Sequence, residues 1–115
     1  MSDLIKDFMR ETSEKPDRIP KRLYHATHRD HRESIMEVGL LPHPIFGEIY
    51  LCESESQVLK FVPKPCIVFS VETRDLDLDH LFLSKDHVKT KDRNFEAYTY
   101  YHEIAPENLK WKMKF

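Results

Sequence analysis

Arg22-Leu23-Tyr24-His25-Ala26-Thr27 decides how the rest of the chain is read. It reads as a short strand, centred on Leu23 to Ala26, that delivers a histidine and a threonine to the top of a sheet. Two later stretches read as built to meet it: Glu48-Ile49-Tyr50-Leu51-Cys52 and Asn94-Phe95-Glu96-Ala97-Tyr98-Thr99-Tyr100-Tyr101. If the three converge, one site holds His25, Tyr50 and Glu96.

Downstream of this strand, Asp30-His31-Arg32-Glu33 has the spacing of a capping box. Ile35, Met36 and Val38 then supply an apolar stripe, and Gly39 stands where a helix needs a left-handed residue to stop. Leu40 to Gly47 is a loop with two prolines, and its His43, Ile45 and Phe46 suit a covering role. Ile49 to Cys52 is a short strand. Ser54-Glu55-Ser56-Gln57 is a second capping box, opening a helix with Val58, Leu59, Phe61 and Val62 that Pro63 and Pro65 stop. Cys66-Ile67-Val68-Phe69-Ser70-Val71 is almost wholly apolar, as expected of a central strand buried on both faces. His80 to Asp92 is polar and ambiguous. Phe95 to Ile104 is rich in aromatics and is expected to be the longest strand. In Leu109 to Phe115, residues Leu109, Trp111, Met113 and Phe115 share one face of a closing strand, with lysines on the other.

Upstream, Leu4, Ile5, Phe8 and Met9 are spaced for one helical face. Thr12 to Pro20 reads as a connector, so residues 1–20 form a helix and linker before a domain at 21–115. The order of elements argues for an α+β domain rather than a doubly wound sheet.

With 115 residues the chain is one domain, long enough to bury a core without staples. Apolar residues make up 40% and charged ones 33%, which fits a folded domain rather than a disordered one. A net charge of -2 supplies no global basic field for nucleic acid. No apolar run has the length of a membrane span, and no signal-peptide core opens the chain, so no membrane contact is expected. Cys52 and Cys66 do not make a disulfide framework; both are expected as packed thiols in a reducing, cytoplasmic compartment. With two glycines, no glycine-rich phosphate loop exists.

Tyr24-His25-Ala26-Thr27, the helix ending Val38-Gly39-Leu40, and Ile49-Tyr50-Leu51 together resemble the ADP-ribosyltransferase superfamily. Its usual opening is Tyr/Trp-His-Gly-Thr/Ser, then Ile-x-x-x-Gly-Leu and a strand with an aromatic. Asn94-Phe95-Glu96-Ala97-Tyr98-Thr99-Tyr100 resembles that family's acid at the head of a strand, and Ile104-Ala105-Pro106-Glu107-Asn108-Leu109 its turn into a final strand. The match spans about residues 22–111. Ala26 stands where the family has glycine, and Leu51-Cys52-Glu53-Ser54 stands where many members place a serine after the aromatic.

The resemblance implies a split antiparallel or mixed sheet with short helices, holding NAD in the cleft. It implies that His25 hydrogen-bonds the ribose, Tyr50 stacks on the nicotinamide ring and Glu96 contacts the 2′-hydroxyl. Cleaving the bond between ribose and nicotinamide passes through an oxocarbenium-like state that a carboxylate stabilises. His25 can donate to a ribose hydroxyl while its other nitrogen is fixed by a neighbour, and Thr27 can add a contact to the nucleotide. An aromatic face suits the cationic nicotinamide ring. The implied activity is NAD-dependent transfer of ADP-ribose to a protein or nucleic-acid acceptor, and the small size suits a phage or toxin effector. An NAD-dependent RNA 2′-phosphotransferase and a non-catalytic nucleotide-, RNA- or protein-binding module are the alternatives on the same fold.

Singly, His25 and Tyr50 read as ordinary strand residues; in this order they read as a site. Glu103 is a rival acid, but strand parity opposes it to Glu96, which lies nearer the expected cleft. His25, His28 and His31 with the two cysteines do not have zinc-ligand spacing, and no metal is expected. Tyr98, Tyr100 and Tyr101 read as core before they read as a base-stacking platform. Lys85, Lys89, Lys91 and Arg93 read first as a solvated loop, and otherwise as phosphate contacts.

Overall fold

Among the described residues, six strands and two short α-helices are built around the opening stretch. The computed structural model describes residues 15–16, 18–42, 48–84 and 97–115. The expected helix over residues 3–11, the basic stretch from Lys85 to Arg93, and Glu96 lie outside the described residues. The strands are β1 (Arg22–His28), β2 (Ile49–Cys52), β3 (Cys66–Glu72), β4 (Leu81–Ser84), β5 (Ala97–Tyr100) and β6 (Leu109–Lys114). They form one sheet in the order β4-β5-β2-β1-β3-β6, every neighbouring pair antiparallel. The helices are α1 (Arg32–Val38) and α2 (Glu55–Val58). The domain is therefore α+β, with an antiparallel rather than a mixed sheet.

Register divides the side chains between two cores, because successive residues of a strand point to opposite faces. Leu23, Leu51, Ile67, Phe69, Val71, Tyr98 and Leu81 share one face with Ile35 of α1 and with Leu40 and Ile104. Ala26, Cys52, Val68 and Ala97 share the other, covered by Val58 of α2 with Leu59, Phe61 and Val62. β3 contributes to both, as its apolar run requires, although it sits one place in from the edge. Cys52 and Cys66 are buried free thiols, and Tyr98, Tyr100 and Tyr101 are buried.

Several local expectations are corrected. The capping box at Asp30 does not form. His28 caps first: its Nδ1 accepts the Asp30 N–H at 3.2 Å, Arg29–His31 forms a 3₁₀ turn, and α1 begins only at Arg32. Of the expected stripe only Ile35 is buried, since Met36 is 41% and Val38 50% exposed. A helix of two turns has room to bury little more. Gly39 ends α1 at φ 87°, as its position predicts. The Ser54–Gln57 capping box is present, but α2 is a single turn. The ambiguous segment after His80 contains β4, and the aromatic strand ends at Tyr100, leaving Ile104 to bridge Leu40 alone. No helix among the described residues is long and apolar enough to cross a membrane.

Candidate functional site

β1 is paired with β3 along its whole length, from Arg22 opposite Glu72 to His28 opposite Cys66. On its other side it meets β2 at one position, Tyr24 opposite Cys52. Beyond that pair the two strands part. His25 stands at the fork, and its imidazole takes up a hydrogen bond there: Nδ1 lies 2.9 Å from the Tyr50 carbonyl oxygen.

That contact fixes the ring's chemistry. A carbonyl oxygen only accepts, so Nδ1 carries the proton and Nε2 of the neutral ring is an acceptor. Burial pushes the imidazole below its ordinary value, and the Tyr50 carbonyl offsets this in part. The neutral form is thus the one held at pH 7. With Nδ1 so engaged, the neutral ring presents Nε2 as an acceptor, whereas the sequence reading expected a donor there.

Two cavities open on either side of the fork, and His25 and Tyr50 line both. The larger, of about 650 Å³, is also walled by Thr27, His31, Ser34 and Glu48. The smaller, of about 170 Å³, is apolar, between Ala26, Cys52, Val58, Phe61 and Val62. Thr27 is held by its neighbour four residues on, its Oγ1 lying 2.9 Å from His31 Nδ1. Ala26 forms part of the smaller wall.

Three of the expected residues, His25, Thr27 and Tyr50, therefore gather at one cleft. Glu96 lies outside the described residues, and Glu103 is exposed beyond the end of β5. Sequence reasoning missed Glu48. Its side chain, 8% exposed, accepts the Tyr50 hydroxyl at 2.5 Å through Oε1 and faces the Tyr101 hydroxyl at 3.5 Å through Oε2. The available signal was its place two residues before Tyr50, which puts both side chains on one side of an extended segment. His31 was read as a helix residue, with a metal role set aside, yet it walls the larger cavity. Among the described residues no three His, Cys, Asp or Glu side chains cluster for a metal ion.

Two cavities that share His25 and Tyr50 in their walls, one large and polar-edged and one small and apolar, suit a ligand with two unlike ends. In comparisons with known proteins, the chain matches no protein-family model and no curated relative.

Proposed function

We propose that the protein is an NAD-dependent ADP-ribosyltransferase that moves ADP-ribose to a protein or nucleic-acid acceptor. The observation that carries this reading is the fork itself. His25 and Tyr50, called from two separate motifs, form the shared wall between two unlike cavities. A dinucleotide has the matching form, with a small flat ring at one end and a larger nucleotide at the other. The parting of β1 and β2 beyond Tyr24 and Cys52, within one sheet, is what supports this reading at the level of the fold.

On this reading the smaller cavity takes the nicotinamide ring against Tyr50, and His25 Nε2 accepts a proton from a ribose hydroxyl. Holding the sugar still supplies much of the rate in such a reaction, because the reacting groups no longer lose motional freedom on the way to the transition state. A carboxylate then stabilises positive charge on the ribose as the bond to nicotinamide breaks. Glu96 is assigned that role by its place in the motif.

Incubation with NAD, with release of nicotinamide followed over time, tests the proposal. His25→Ala and Tyr50→Ala are each expected to lower release by roughly a hundredfold, the scale of a lost positioning contact. Wild-type release that survives Glu96→Ala refutes the role given to that acid. Binding of NAD without release, whatever the acceptor, would instead identify a non-catalytic module.

A further inference from the structure

Glu48, Tyr50 and Tyr101 form a polar knot, of which only Tyr50 belongs to the motifs and to the proposed reaction. Glu48 precedes β2 and Tyr101 follows β5. The two continue the ladder in which Ile49 lies opposite Tyr100. Glu48 is buried, and both of its oxygens face phenol hydroxyls. Among the described residues no lysine, arginine or histidine forms an ion pair with it. Two phenols satisfy hydrogen bonds but do not cancel a charge. A buried carboxylate so placed favours a positive group nearby, because charge interactions strengthen away from water.

For a ligand in the smaller cavity, which Glu48 does not line, the ring of Tyr50 is the route to that charge. Donation from its hydroxyl to a carboxylate at 2.5 Å is a charge-assisted bond, and it pushes electron density back into the ring. An aromatic face richer in electrons holds a cation better. Tyr50 lines both cavities, so a ligand in either one meets it.

We propose that Glu48 is a positioning residue that acts through Tyr50 as a charge selector, so that the cleft prefers a cationic aromatic ring to the same ring without charge. This rests on the reading of the cleft as a dinucleotide site. What it adds is the residue, Glu48, that sets the preference for the charged ring of the oxidised form. Glu48→Gln separates charge from scaffolding: the amide oxygen still accepts the Tyr50 hydroxyl, but the negative charge is gone.

The test uses two pairs of ligands, each pair differing in ring charge. One is oxidised against reduced NAD; the other is the 1-methylnicotinamide cation against neutral 3-methylbenzamide. Dissociation constants are measured by ligand-observed NMR for wild type, Glu48→Gln and Tyr50→Phe, with a melting curve for each protein. Wild type is expected to bind the cationic member of each pair more tightly. Glu48→Gln is expected to cut that preference about tenfold, which at 1.4 kcal/mol per decade lies within the range of a cation–π contact. The neutral member's affinity and the melting temperature should hardly move. Tyr50→Phe should lower the preference as well, and it reads the same coupling if Glu48→Gln fails to fold.

Equal weakening of both members in Glu48→Gln, or an unchanged preference, overturns the proposal; so does the absence of any preference in wild type. The two readings fail separately. If the small cation is preferred and neither dinucleotide binds, the charge selector stands and the NAD reading falls. If both dinucleotides bind equally well, the NAD reading stands and the selector falls.

Discussion

An imidazole placed between two strands loses hydration, and its charged form loses most. His25 is in that position, with burial as the larger cause of its lowered pKa. The consequence for stability has a definite sign. Above about pH 6.5, the ordinary imidazole value, His25 is neutral both folded and unfolded and adds no pH dependence. As pH falls below that, the unfolded chain takes up a proton that the folded chain resists, so stability drops until the folded value is reached. Urea melts from pH 7.5 to pH 5 should show this fall, and His25→Gln should flatten the part that His25 causes. A slope unchanged by the substitution would assign it to other groups. A second residue acts through its backbone. Gly39 holds φ 87°, and a Cβ there would run into the Ile104 carbonyl oxygen, which accepts the Leu40 N–H at 2.9 Å. Gly39→Ala is expected to cost about 2 kcal/mol or more in chemical denaturation, since it adds a collision to a conformation that already strains an L-residue. Val38→Ala, one residue earlier and exposed, should stay within roughly 0.5 kcal/mol.

Elements this short are held by their ends and their neighbours rather than by propensity. In α2, a single turn, Ser54 Oγ accepts the Gln57 N–H, and Gln57 Oε1 accepts the Ser54 N–H at 3.1 Å. Ser54→Ala should cost about 1 kcal/mol by thermal or chemical melt, the usual cost of a lost cap. The edge strand β6 shows a different device. Lys110 and Lys112 are exposed along it, and charged side chains keep an open edge from pairing with a second copy. Replacing both with valine is expected to raise self-association in light scattering without lowering the melting temperature. What could be read from sequence follows the same division. Ser54 with Gln57, Gly39, the apolar run of β3 and the existence of the closing strand β6 were legible because each signal is local, although Trp111 and Phe115 of that strand's expected apolar face are exposed. β4 was not, because Leu81–Ser84 is a strand chiefly through its pairing with β5. The Asp30 box failed because His28 competes for the same backbone donor. In the site, His25 and Tyr50 could be named from their motifs, but Glu48 could not. An acid beside a glycine reads as solvated surface until Tyr101, 53 residues away, closes over it.

At the scale of the whole molecule, the sheet is continuous through β1, β3 and β6 and again through β2, β5 and β4, and a single pair joins the halves. At the fork left between them stand His25 and Tyr50, which line both cavities. A ligand that reaches into both adds its binding energy to the joint between the halves. By mass action, a ligand at a hundred times its dissociation constant stabilises the fold by about 2.7 kcal/mol. NAD and AMP should therefore differ in what they need from the protein. NAD, on the proposed reading, fills both cavities, whereas AMP needs only the larger. Val62 lies in the wall of the smaller cavity and on the covered side of the second core. Val62→Trp is expected to fill that space with an indole. The melting temperature gained with NAD should then fall to the gain seen with AMP, while the AMP gain itself is retained. If Val62→Trp leaves the NAD gain intact, the dinucleotide does not cross the fork, and His25 and Tyr50 do not hold its middle.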